Sequence, residues 1–205
     1  MMKLYNNPQS RGMTLLPILK ELQIEDQLEQ VEVPYKDMHQ PEYLQINPMG
    51  KVPCLVDQGI VISEMAAIII YLADKYQDKR LAPALDDPKC GAYLKWIFFC
   101  HGPLTEYIDV KNLLVPQEQI EKVRTSLSFG NEAAVFDFFK RGLSQAKPYL
   151  LGEKVSAADL YVAYCLIFAI STKILPPLEE FKPFLQQMAR RDSLKDISWF
   201  EQYRT

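Results

Sequence analysis

Every strand signal in this chain falls within its first 63 residues, and that confinement limits the fold more than any other feature. "MKLYNN" reads as a short strand ending in turn residues. "SRGMTLLPILKEL" carries apolar residues at 15, 16, 18, 19 and 22, the period of a helix, with Pro17 expected to bend or delay it. "LEQVEVPY" alternates again, so the opening is β-α-β and a parallel pair is expected. "HQPEYLQINPMGK" is a polar connection with a short helical turn. "VPCLVD" and "IVIS", joined through Asp57-Gln58-Gly59, predict a hairpin. "EMAAIIIYLADKY" is apolar on most faces and predicts a well-buried helix.

No strand signal follows. "QDKRLAPALDDPK" has two prolines and mixed charges, as linkers do. Beyond it come helical patterns: "CGAYLKWIFFCHG", expected to break at Gly102-Pro103, then "QEQIEKVRTSLS", "NEAAVFDFFKRGLSQAKPYL", "SAADLYVAYCLIFAI" and "LEEFKPFLQQMARR". Ser156 and Asp159 have the spacing of a capping box ahead of an apolar run. The expected fold class is therefore α/β followed by all-α. Residues 1–77 form the first domain, 78–87 a linker and 88–205 a helical domain.

Charge and thiols narrow the function. A net charge of -3 gives no basic field for nucleic acid. The longest apolar run, near Leu160 to Ile170, is too short to cross a bilayer, and the turn residues that follow Lys3, in place of a long apolar stretch, lead us to expect no secretory leader. Cys54, Cys90, Cys100 and Cys165 form no C-x-x-C pair, and with only His39 and His101 besides there is no zinc spacing. Buried free thiols in the cytoplasm are the expectation, with no metal. Within the β-rich part, Val52-Pro53 opens a strand. A cis bond there turns the backbone of Val52 outward, where its N–H and C=O can meet an extended peptide docking as an added strand.

The order of elements, "NPMGKVPCL", "SEMAAIIIYLADKY" and "GEKVSAADL" together resemble the glutathione S-transferase superfamily, and "GAYLKWIFF" resembles a bacterial branch of it. The resemblance spans nearly the whole chain. It implies a thioredoxin-like N-terminal domain that binds glutathione and an all-helical C-terminal domain that forms the electrophile pocket. It also implies a cytoplasmic homodimer with a detoxification-type transferase activity, glutathione as co-substrate and no other cofactor.

The same resemblance assigns residues. Val52 with Pro53 would pair with the cysteinyl backbone of glutathione. Lys51 would meet the glycyl carboxylate, with His39 and Gln40 nearby. Glu64 would meet the γ-glutamyl ammonium. Met65 stands where the family commonly has a serine, so only its backbone N–H would remain for the γ-glutamyl carboxylate. The thiol should lie near "NNPQSRG", whose "PQSR" resembles the serine-type loop. Ser10 is the expected catalytic donor and Arg11 a neighbouring contact, while Asn7 and Gln9 stay open as alternatives and Tyr5 is expected to be packed. A helix N-cap is the other role open to Ser10. No cysteine occupies this loop, which argues against members that form mixed disulfides. Tyr93, Trp96 and Cys100 form a stripe at helical spacing, more in keeping with a core. Phe99, His101 and Tyr107 are the expected lining of a pocket for a hydrophobic electrophile. The alternative function is a non-enzymatic binding or regulatory protein on the same fold. A glutathione-dependent isomerase or dehalogenase ranks behind both, because the Ser-Ser-Cys loop of the zeta-type isomerases is missing.

Overall fold

A computed structural model describes residues 1–204. The chain divides into two compact units, Met1–Leu81 and Ala82–Thr205, a boundary that falls inside the stretch 78–87.

The first unit is built on four strands, β1 (Met2–Asn6), β2 (Leu28–Glu32), β3 (Cys54–Asp57) and β4 (Ile60–Ser63), in the sheet order β2-β1-β3-β4. β1 and β2 run parallel, with Met2 opposite Leu28, while β3 is antiparallel to both β1 and β4. The β-α-β opening explains the parallel pair, because the connecting helix returns the chain to the same end of the sheet. That connection starts as a 3-10 turn, Arg11–Leu15, and becomes α1 (Leu16–Leu22) only once Pro17 sits in its first turn. Proline is tolerated there because its missing N–H has no intrahelical acceptor to lose. The hairpin turns on Gln58 (φ 51°) and Gly59 (φ 81°), two positive values in succession as a tight two-residue turn requires. A short helix α2 (Pro41–Leu44) precedes the hairpin, and α3 (Met65–Lys75) follows it. Leu4, Leu15, Ile18, Leu19, Leu22, Leu55, Ile68, Ile69 and Leu72 are buried together between sheet and helices.

One ion pair fastens α3 to the far end of β3. The buried Asp57 accepts from the Tyr71 hydroxyl at 2.5 Å and from the Lys75 ammonium. Lys75, and after it Tyr71, holds the Asp57 carboxyl below its usual value. A folded value below the unfolded one (about 3.9) gives stability that is complete above that unfolded value and lost as pH falls through the lower folded one. Lys75→Met is therefore expected to flatten the acid limb of a urea-denaturation series run from about pH 7 to about pH 3.

The second unit contains α4 (Cys90–Phe99), α5 (Thr105–Asn112), α6 (Gln117–Val123), α7 (Glu132–Ser144), α8 (Ala157–Ser171) and α9 (Lys182–Ala189). Gly102-Pro103 does not break the first pattern. Cys100–Leu104 forms a wide π turn that joins α4 to α5. The wider turn makes room for the Pro103 ring, and the Thr105 hydroxyl donates to the Cys100 carbonyl at 2.8 Å. α8 is the central helix, with twelve of its fifteen residues buried. Its start is a complete capping box: Ser156 Oγ accepts from the Asp159 N–H, and Asp159 accepts from the Ser156 N–H at 2.8 Å. Tyr93, Trp96 and Cys100 lie in the core of this unit. Among the described residues, no helix is long and apolar enough to cross a membrane.

Candidate functional site

The sheet register gathers three short segments at one end of the first unit. Tyr5 lies opposite Cys54, and Cys54 opposite Ser63. The end of β1, the start of β3 and the end of β4 are therefore neighbours. Asn7–Gly12, Lys51–Pro53 and Glu64–Met65 continue from those three ends.

Val52-Pro53 is a cis peptide. The Val52 side chain packs against the cluster of Val33, Met38 and Tyr43. Its backbone N–H and C=O have no hydrogen-bond partner among the described residues. The residue before it is firmly held. The Lys51 carbonyl accepts from the Tyr43 hydroxyl at 2.6 Å and from Asn47 Nδ2 at 2.7 Å, while the Lys51 side chain is exposed. Burial pushes the Tyr43 phenol well above its usual value, so it stays a donor. Gly50, at φ +59°, brings His39 alongside, since a Cβ there would stand 2.6 Å from His39 Nδ1. Lys51, Val52, Pro53 and His39 thus form one group, with Lys51 and His39 supplying exposed side chains.

Glu64 is exposed and adopts φ 71°, ψ 121°, a conformation few residues other than glycine take up. It stands just ahead of α3, whose first residue, Met65, is 8% exposed. The Met65 side chain is thus a core element. The first-turn N–H groups of an eleven-residue helix point toward this end of the unit and favour an anion there.

The third segment is a knot of amides around Ser10. Ser10 Oγ accepts from the Gly12 N–H at 3.0 Å, which makes it the N-cap of the turn that follows. Its hydroxyl donates to the Asn7 carbonyl at 2.8 Å. Asn7 is buried, with Nδ2 donating to the Val33 carbonyl at 2.9 Å and Oδ1 accepting from the Gln9 N–H at 2.8 Å. Gln9 and Arg11 are exposed, and the Gln9 carbonyl accepts from the Tyr35 hydroxyl at 2.9 Å. Tyr5 packs its ring 6.0 Å from that of Tyr43. Gly12 lies so close to Asn6 Oδ1 that any Cβ would collide with it.

The helical unit places its three candidates differently. Phe99 is half-buried and stacks on Phe138 at 3.8 Å. His101 is half-buried in the π turn. Tyr107 is 1% exposed, with its hydroxyl donating to Glu132 at 2.7 Å and its ring against Phe129. Burial, and after it Glu132, raises the Tyr107 phenol above its usual value. Among the described residues, no cluster of His, Cys, Asp and Glu could hold a metal ion.

Asn6, Tyr35, Tyr43 and Asn47 escaped the sequence reading, yet they fix the backbone of the two loops that matter. Asn47 left a legible trace: "NPMG" is a turn, and Asn47 Oδ1 accepts from the Met49 N–H at 3.2 Å, the turn that asparagine favours.

Residues 13–75 match the family described as glutathione S-transferase, N-terminal domain. Glutathione S-transferase hmp2 of Hypomyces subiculosus is 31% identical over 78% of this chain and 78% of its own length. Glutathione S-transferase F13 of Arabidopsis thaliana is 30% identical over 96% of this chain and 94% of its own. Among solved structures, a ternary complex of BphK, a bacterial GST, superposes with a TM-score of 0.73 at 28% identity, covering 99% of this chain and all of that one.

Proposed function

We propose that this chain, which belongs to the glutathione S-transferase superfamily, binds reduced glutathione at the end of its first sheet and promotes attack of the thiolate on a hydrophobic electrophile. The observation that carries this reading is Val52, whose backbone N–H and C=O lack partners at the sheet end shared with the Ser10 loop and the start of α3. An extended peptide satisfies such groups as an added strand does. In this arrangement the cysteinyl backbone pairs with Val52 beside Pro53, and the glycyl carboxylate lies toward Lys51 and His39. The γ-glutamyl ammonium meets Glu64, and its carboxylate meets the Met65 N–H. The thiol then points to Ser10 and Arg11.

Ser10 can cap the turn and serve the thiol at once. The cap uses a lone pair of Oγ, whereas stabilising a thiolate uses the proton. Phe99 and His101 remain candidates for the electrophile side, and the buried Tyr107 would act there only as a support. Glutathione is co-substrate, and no further cofactor is invoked. The cytoplasm, where glutathione keeps thiols reduced, is the fitting compartment.

A symmetric homodimer is part of the proposal. Ile60 and Val61 on the edge strand β4 and Phe98 on α4 are exposed apolar residues suited to such a contact. Light scattering at micromolar protein should report a dimer, and a monomer alone would reject it.

The reading is tested by ligand stabilisation. Reduced glutathione at a hundredfold excess over its Kd should stabilise the fold by about 2.7 kcal/mol, and Glu64→Ala should shrink the thermal shift by leaving the ammonium unpaired. A flat thermal profile in the wild type would sink the proposal. The rival reading, a binding protein without catalysis, draws on Met65, which supplies no side-chain donor. Thermal stabilisation without turnover of an aromatic halide would favour it.

A further inference from the structure

Ser10 has one hydroxyl proton, and its neighbours decide where that proton points. We propose that Asn7 is a positioning residue for Ser10, holding its hydroxyl ready to turn toward the bound thiol. This rests on the reading of Ser10 as the thiolate donor.

Asn7 is 4% exposed, so it cannot itself reach a ligand without the loop opening. Its amide is used at both ends, Nδ2 on the Val33 carbonyl and Oδ1 on the Gln9 N–H. Its own N–H donates to Asn6 Oδ1 at 2.9 Å. The Asn7 carbonyl is thereby fixed in place, and it accepts twice from one residue: from the Ser10 N–H at 3.0 Å and from the Ser10 hydroxyl at 2.8 Å. That double acceptance makes the hydroxyl easy to release. When the proton turns to sulfur, the Asn7 carbonyl keeps the Ser10 N–H, and no buried acceptor is left without a partner. The Gly12 N–H goes on donating to Oγ, which strengthens the hydroxyl as a donor. With the Asn7 side chain gone, the loop is no longer tied to Val33, and the hydroxyl spreads over other rotamers.

The test is an ultraviolet titration of the thiolate of bound reduced glutathione in the full-length protein. Wild type is compared with Ser10→Ala, Asn7→Ala, the double variant and Asn7→Ser. Ser10→Ala and Asn7→Ala should each raise the thiol pKa by about one pH unit. The double variant should rise no further than Ser10→Ala alone, because both changes remove the same contact. Asn7→Ser keeps an acceptor for the Gln9 N–H and should recover part of the shift. An unmoved pKa in Asn7→Ala beside a raised one in Ser10→Ala overturns the proposal, and so do additive shifts, which would mean that Asn7 acts on the thiol by itself. An unmoved pKa in Ser10→Ala instead removes the donor reading beneath it. Should Asn7→Ala fail to fold, Asn7→Ser is read alone: a rise of about half a unit supports the proposal, and no rise overturns it.

Discussion

Asp159→Ala should lower the unfolding free energy by about 4 kcal/mol, the largest single effect expected in this chain. Asp159 is fully buried at the start of α8. One carboxylate oxygen accepts from the Leu150 N–H at 2.7 Å; the other accepts from the Ser156 N–H at 2.8 Å and from the Ser156 hydroxyl at 2.6 Å. Truncation removes the reciprocal half of the capping box and takes the acceptor from the buried Ser156 N–H and the part-buried Leu150 N–H, at about 1–3 kcal/mol each. Asp159→Asn should cost less, because its remaining oxygen can still serve the Ser156 side. Urea unfolding of the three proteins measures this, with equal midpoints the contrary result. Burial outweighs these hydrogen bonds and raises the Asp159 carboxyl above its usual value. A folded value above the unfolded one means that the native state binds the proton more tightly. The contribution of Asp159 to stability therefore grows as pH falls from the folded value to the unfolded one, opposite in sign to that of Asp57.

Gly142→Ala should cost about 3 kcal/mol. Gly142 lies within α7, where glycine is otherwise a poor choice. A Cβ at this position would collide with Cζ2 and Cη2 of the Trp96 ring. The ring has little freedom to move, since it also packs edge-on to Phe138 at 4.8 Å and against Phe139 at 6.3 Å. Gly142→Ala in a Trp96→Leu background should cost much less than in the wild type, because the collision is gone. Equal costs in both backgrounds, read by thermal unfolding, would reject the steric account.

The β-α-β opening and the hairpin were legible in the sequence because alternation, turn residues and strand length agree there. Met2–Asn6, Cys54–Asp57 and Ile60–Ser63 all fall within the expected stretches. The helix after β1 was legible in type but not in onset, because Pro17 lets the chain enter through a 3-10 turn. Gly102-Pro103 misled for a local reason: a π turn carries proline where an α turn would not. At the candidate site, "KVP" and "SEM" stand out as strings, yet their meeting depends on the Cys54–Ser63 register. The amides around Ser10 were out of reach of any spacing argument. Asn7 meets Val33 across 26 residues, and nothing in the one-dimensional pattern ties them.

The backbone at Glu64 bears on how this chain can change over time. A residue other than glycine at φ 71°, ψ 121° costs roughly 1–3 kcal/mol. Glycine would relieve that cost at once, so the single change Glu64→Gly would gain stability by it. It would also lose the Glu64 carboxylate beside the start of α3. Selection for a sturdier fold and selection for the proposed peptide site therefore pull in opposite directions at this residue. Which of the two prevailed in a descendant can be read from a single codon.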